Sequence, residues 1–175
     1  MNLKEYIRSI PDYPKKGILF RDITTLIKNE MAFKECINQI VDRSKKFKVD
    51  KIAAIESRGF VFASAVSYLI NKPFILFRKK NKLPADTYSV EFELEYGKAT
   101  IEVHKDSINE NDSVLIIDDL IATGGTAVAA AELVKISKGN VSGFIFVIDL
   151  FDLGGCDKLK KSGYKVEKLI DFPGH

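Results

Sequence analysis

Cysteine is scarce in this chain: only Cys36 and Cys156 occur among 175 residues. They stand far apart, without His or Cys neighbours at metal-ligand spacing. That argues against a disulfide scaffold or a zinc cluster, and the thiols read as reduced, buried or incidental in a cytosolic protein. Long apolar runs are missing too. No stretch approaches the roughly 18 residues of a membrane span, and Met1-Asn2-Leu3-Lys4-Glu5 has no apolar h-region. The expectation is a soluble, cytoplasmic protein with no membrane partner. One-sided charge is also lacking: 27 Lys and Arg against 24 Asp and Glu leave a net +3, too mild for a dedicated nucleic-acid binder. With no internal repeat, low-complexity tract or linker, residues 1–175 read as one domain. The balance of 46% apolar and 29% charged residues is that of an ordinary globular chain able to bury its own core.

Helical and strand-like segments alternate. Met31–Lys46 carries Phe33, Ile37, Ile40 and Val41 as a helical stripe. Lys51–Ile55 reads as a buried strand, with Glu56-Ser57-Arg58-Gly59 as the loop after it. Phe60–Ile70 reads as a packed helix closed by Asn71-Lys72-Pro73. Phe74–Phe77 is a second strand, and Tyr88–Val103 alternates like a two-stranded ribbon. Val114–Ile117 is a further buried strand, followed by a glycine-bearing loop, an Ala-rich helix from about Thr126 to Ser137, and a strand at Val141–Ile148. This alternation predicts an α/β fold with a central, mostly parallel sheet flanked by helices. In such sheets ligands bind beyond the carboxyl ends of the strands.

The segment Val114–Thr126 ends a buried strand in Asp118 and Asp119, then runs Leu-Ile-Ala-Thr-Gly-Gly-Thr. Two adjacent carboxylates at a sheet edge can accept hydrogen bonds from vicinal hydroxyls. Ala122, Thr123, Gly124, Gly125 and Thr126 are small enough for backbone N–H groups to close around an anion, and the helix behind presents its positive end. An acid pair followed by an anion nest suits a ribose 5-phosphate. The plainer alternative is a strand-turn-helix whose aspartates cap the helix. The Gly-Lys-Ser/Thr of a Walker loop and the Gly-x-Gly-x-x-Gly of a dinucleotide site are both absent.

This string resembles the 5-phosphoribosyl 1-pyrophosphate (PRPP) motif of type I phosphoribosyltransferases. Further segments resemble the adenine phosphoribosyltransferases in that family: Pro11–Pro14, Gly17–Thr24, Glu56–Phe60, Arg78-Lys79, Lys82–Pro84 and Glu95–Lys98, recurring in family order to about residue 150. The resemblance implies the type I phosphoribosyltransferase fold, with a small hood over about 1–30 and the C-terminal segment, and a mobile ribbon over about 79–104. It implies that Asp118 and Asp119 hold the ribose hydroxyls and that Ala122–Thr126 hold the 5-phosphate. Phe20, which composition alone leaves as a core aromatic, would stack on adenine opposite Leu150, with backbone groups of Leu19 and Arg21 at the purine edge.

Arg58 would stabilise the leaving pyrophosphate; the alternative is a surface Arg paired with Glu56. Arg78, Lys79 and Lys82 would join it in binding pyrophosphate, or else form a solvated hairpin base. Glu95 would be catalytic, near purine N7 or N9, with Tyr96 beside it in the mobile loop. Against this, Glu91, Glu93, Glu95 and Glu102 alternate as solvent-facing strand positions would. His104 has no partner legible in the sequence. Thr25 stands where the family usually has Pro, which would loosen the hood, and Asn81 stands where Gly is common.

The reading is an enzyme that converts adenine and PRPP to AMP and pyrophosphate. Mg2+ would be carried mainly by substrate and water rather than by direct protein ligands, and a homodimer is implied by the resemblance. Two rivals stay open: a 6-oxopurine phosphoribosyltransferase, and a PRPP-sensing regulatory protein of the same fold.

Overall fold

The computed structural model of the chain describes residues 1–94 and 96–175. Near the N-terminus β1 (Arg8–Pro11) and β2 (Leu19–Asp22) pair antiparallel, with Ile10 opposite Phe20. After α1 (Thr24–Ile27) comes α2 (Glu30–Ser44), whose first turn is capped by the Asn29 side chain accepting the Ala32 N–H at 3.0 Å. Ala32, Cys36, Ile37 and Ile40 form its buried face. Next are β3 (Lys51–Ile55), α3 (Arg58–Ile70) and β4 (Phe74–Lys79), then the antiparallel ribbon β5 (Thr87–Glu93) and β6 (Lys98–His104). The chain continues through β7 (Ser113–Ile121), α4 (Gly125–Ile136), β8 (Asn140–Leu150), α5 (Gly155–Lys161) and β9 (Val166–Phe172).

Among the described residues the main sheet has seven strands in the order β5-β6-β4-β3-β7-β8-β9. The pairs from β4 through β9 are parallel, while the ribbon joins β4 antiparallel at one edge. Alternation along β7 divides the core. Leu115 and Ile117 pack with α2 and α3 on one face, and Val114 and Ile116 pack with α4 and α5 on the other. Four alanines of α4, Ala127 and Ala129–Ala131, let its backbone approach the second face closely. The crossover β3–α3–β4 winds outward in one direction and β7–α4–β8 in the other. The order therefore reverses between β3 and β7, the place where such sheets leave a crevice.

Three expectations need correction. Asp118 and Asp119 lie within β7 and not past its end, because the eleven-residue β8 continues alongside and pairs Asp118 with Phe146 and Ile121 with Asp149. On the other flank the β3 pairing stops at Ile116, so the acid pair has one laddered side and one open side. Arg58 is the first residue of α3 and not a loop residue: N–H groups of a first turn need no partner inside the helix, so the turn can start directly after Ser57. Thr25 tightens the hood. Its hydroxyl donates to the Tyr6 carbonyl at 2.6 Å and accepts the Arg8 N–H at 3.1 Å, bonds a proline could not make.

Candidate active site

At the reversal of strand order lies a cleft of about 460 Å³. Its walls include Ser57 and Arg58 from the start of α3, Asp118 and Asp119 from β7, and Ala122, Thr123, Gly124, Gly125 and Thr126 from the turn into α4. Lys79, Glu93 and Leu94 close the ribbon side. The acid pair and the glycine turn, 60 residues or more beyond Arg58, thus come together with it in one cavity.

The two carboxylates are unequal. Asp119 is buried and accepts the Arg58 Nε–H at 2.6 Å. Asp118 accepts the Asp119 backbone N–H at 2.8 Å. Burial first, and the neighbouring Asp119 charge second, hold the Asp118 carboxyl well above the ordinary carboxylate range. Helix α3 comes close enough to matter here: a Cβ on Gly59 would stand 2.6 Å from Asp118 Oδ1, so only glycine admits the carboxylate at that spot. Gly124, at φ 91°, opens α4 in a left-handed conformation that bends the chain around the cavity.

Arg58 pairs with Asp119, and Glu56 is engaged elsewhere. Glu56 accepts the Lys79 backbone N–H at 2.5 Å and faces Arg78 Nε at 3.4 Å. Arg78 is thereby drawn toward Glu56, and Lys82 is exposed outside the cleft walls; of the three basic residues only Lys79 lines the cavity. Leu19, Phe20, Arg21 and Leu150 also lie outside these walls. Phe20 borders the cleft, its ring centroid 5.9 Å from Arg58 Cζ, and Tyr13 packs edge-on against it at 5.1 Å. The Arg21 guanidinium turns away, donating to Ser9 Oγ at 2.5 Å and to the Pro173 carbonyl at 3.2 Å. Leu150 is buried opposite Phe172 in the β8–β9 register. Tyr96 is exposed, with Lys15 Nζ 4.0 Å from its ring centroid, so the loop between β1 and β2 touches the ribbon tip. Glu95 lies outside the described residues.

Sequence reasoning missed the role of Glu102. It is buried rather than solvent-facing, accepting from Asn81 N–H at 2.8 Å, Ser89 Oγ at 2.6 Å and Thr87 Oγ1 at 3.1 Å. The Ser89 hydroxyl foremost, then the Asn81 amide, holds its carboxyl below the usual range. Asn81 does take the left-handed region, at φ 65°. His104 has a partner after all, the Ala85 N–H at 3.2 Å. No signal in the sequence marks these contacts, which join strands through tertiary register. Among the described residues no group of three or more His, Cys, Asp or Glu could hold a metal by itself. The adjacent Asp118 and Asp119 do offer hard oxygen donors of the kind that suit Mg2+ shared with phosphates and water. No helix among the described residues is long and apolar enough to cross a membrane.

Comparison with known proteins adds the chemistry of relatives. The phosphoribosyl transferase domain family matches residues 22–172. An adenine phosphoribosyltransferase of Pelagibacter ubique is 78% identical over 175 residues, covering all of both chains. The crystal structure of an adenine phosphoribosyltransferase from Thermoanaerobacter pseudethanolicus superposes with a TM-score of 0.93 at 46% identity, covering 97% of this chain and 98% of that one. The Saccharomyces cerevisiae enzyme, complexed with adenine and an imino-altritol bisphosphate, gives 0.88 at 34% identity over 96% of each chain.

Proposed function

The chain belongs to the phosphoribosyl transferase family, and we propose that it is an adenine phosphoribosyltransferase, moving the 5-phosphoribosyl group of PRPP onto N9 of adenine. The C1–oxygen bond to pyrophosphate breaks, the C1–N9 bond forms with inversion, and the N9 proton is released. AMP and pyrophosphate are the products. One observation carries the reading: the Asp118–Asp119 pair and the Ala122–Thr126 turn share a cleft with Arg58 at the reversal of strand order, in a chain 78% identical to an enzyme of that name.

In this reading Asp118 and Asp119 accept from the ribose hydroxyls, and the N–H groups and hydroxyls of Ala122–Thr126 grip the 5-phosphate. Arg58 moves from Asp119 onto the departing pyrophosphate, where its fork of donors meets growing charge. Lys79 assists from the ribbon side, with Arg78 and Lys82 bordering it. When bound, Mg2+ neutralises phosphate charge, and Asp118 and Asp119 are the residues that would face it. Phe20 and Leu150 take the two faces of adenine, the backbone of Leu19 and Arg21 its edge, and Glu95 the proton at N7 or N9. Residues of about 79–104 close over the cleft as a lid, with Tyr96 at its tip, excluding water from the cationic ribosyl centre.

A cytoplasmic location is supported by the two unpaired, buried thiols. A homodimer is supported by the row Val61, Tyr68 and Leu69, apolar and exposed on one side of α3. The deciding experiment offers adenine, guanine, hypoxanthine and xanthine separately with PRPP and Mg2+. Adenine should be consumed at least 100-fold faster than any other base. Preference for an oxopurine refutes the base assignment, and PRPP binding without turnover on any base refutes the enzyme.

A further inference from the structure

The turn that lines the cleft is backed by a second glycine pair far along the chain. Gly154 and Gly155 stand between β8 and the body of α5. The Gly155 N–H donates to the Ala122 carbonyl at 3.0 Å. There is no room for a side chain between them. A Cβ on Gly155 would lie 2.5 Å from the Ala122 oxygen, 2.6 Å from Ile121 Cγ1 and 3.0 Å from the Gly124 nitrogen. Reciprocally, a Cβ on Gly124 would lie 3.2 Å from Gly155 Cα. Two backbones are thus in direct contact, glycine against glycine.

This contact has a directional effect. In a planar trans peptide the carbonyl of one residue and the N–H of the next point opposite ways. Tying the Ala122 carbonyl back to Gly155 therefore turns the Thr123 N–H away from Gly155, toward the side on which the cleft lies. The geometry points to Gly155 as the positioning residue of the phosphate cradle, one that touches no substrate but sets the aim of the amides that do. This rests on the reading of Ala122–Thr126 as the 5-phosphate site. Gly154 provides the natural control: it sits at φ 78°, but a Cβ there meets nothing within 4 Å, so alanine strains the turn without pressing on the cradle.

The test compares AMP with adenosine by calorimetry in the wild type, Gly155→Ala and Gly154→Ala, together with PRPP kinetics. In Gly155→Ala the preference for AMP over adenosine should fall at least ten-fold and the KM for PRPP rise at least ten-fold, with kcat at saturation within about three-fold. Gly154→Ala should melt lower yet keep both ratios within two-fold. A folded Gly155→Ala with wild-type preference overturns the inference, as does an equal loss in Gly154→Ala. A wild type that binds AMP no better than adenosine overturns the phosphate reading itself, and this inference with it. Should Gly155→Ala fail to fold, amide exchange in the wild-type chain decides. AMP should slow the Gly155 amide at least ten-fold more than the Gly163 amide at the far end of α5, and equal slowing refutes the role.

Discussion

Asp118→Asn should make the protein more stable and markedly less active, and the gain in stability should depend on pH with a definite sign. Asp118 is half-buried beside a second carboxylate, and among the described residues the guanidinium that meets the pair, Arg58, is bonded to Asp119. Its carboxyl is held above the ordinary range. Below about pH 3, well under the ordinary aspartate value of 3.8, the folded and unfolded chains both carry the proton and no penalty exists. As pH rises through the unfolded value the unfolded chain ionises freely while the folded one resists, so folding loses stability until the raised folded value is passed. Asparagine keeps the shape, still accepts the Asp119 N–H, and adds a donor for the neighbouring carboxylate. Relief of an ill-satisfied buried group amounts to about 1–2 kcal/mol, or about 2–8 °C in Tm for a chain of this size. Melting curves of the ligand-free protein from about pH 3 to pH 8 would then show the variant level with the wild type at the acid end and above it at pH 8. Meanwhile kcat/KM should drop about 10–100-fold through lost hydroxyl contacts. A Tm difference flat with pH, or a variant less stable at pH 8, would refute the argument. The single substitution is cleaner than changing both aspartates, since Asp119→Asn also breaks the Arg58 pair.

Arg58→Ala should lower kcat by about 100–1,000-fold and also lower Tm, because Asp119 is left buried without its cation; unchanged KM for pyrophosphate in the reverse reaction would argue against a leaving-group role. Asp22 is held down to about 2 by the Thr24 hydroxyl and by Arg8. Its contribution is fully present above the ordinary carboxylate range and is lost as pH falls toward 2, so Asp22→Asn should flatten denaturant midpoints measured between pH 5 and pH 2. An acid limb as steep as the wild type's would remove Asp22 as its cause.

What a chain can announce about itself is local. The Val114–Thr126 string and the stop at Asn71-Lys72-Pro73 each depend on neighbours within a few positions, and each is legible as a pattern. The length of β7 is not, because its last pairs depend on how far β8 runs beside it. Nor is the choice of partner among charges. Arg58 could meet Glu56, two residues away, yet it meets Asp119, 61 residues away, while Arg78 takes the nearer acid. Gly155 looks like any turn glycine until the space around it is seen. Glu102 follows a strand alternation that would place it in water, and register instead buries it under two hydroxyls and an amide.

Among the described residues the β1–β2 pair forms a ladder of its own, hydrogen-bonded to no strand of the seven-stranded sheet. On the proposed role of Leu19–Arg21 at the purine edge, a laboratory wishing to recruit an unnatural nucleobase would redesign Leu19–Asp22 and its opposite number, keeping the Arg21 bond to the Pro173 carbonyl. Registry in the layer that carries Asp118 would be left untouched by such a graft. In the proposed reading the purine edge and the acid pair thus sit on separate ladders, with Leu150 on the ladder of the acid pair.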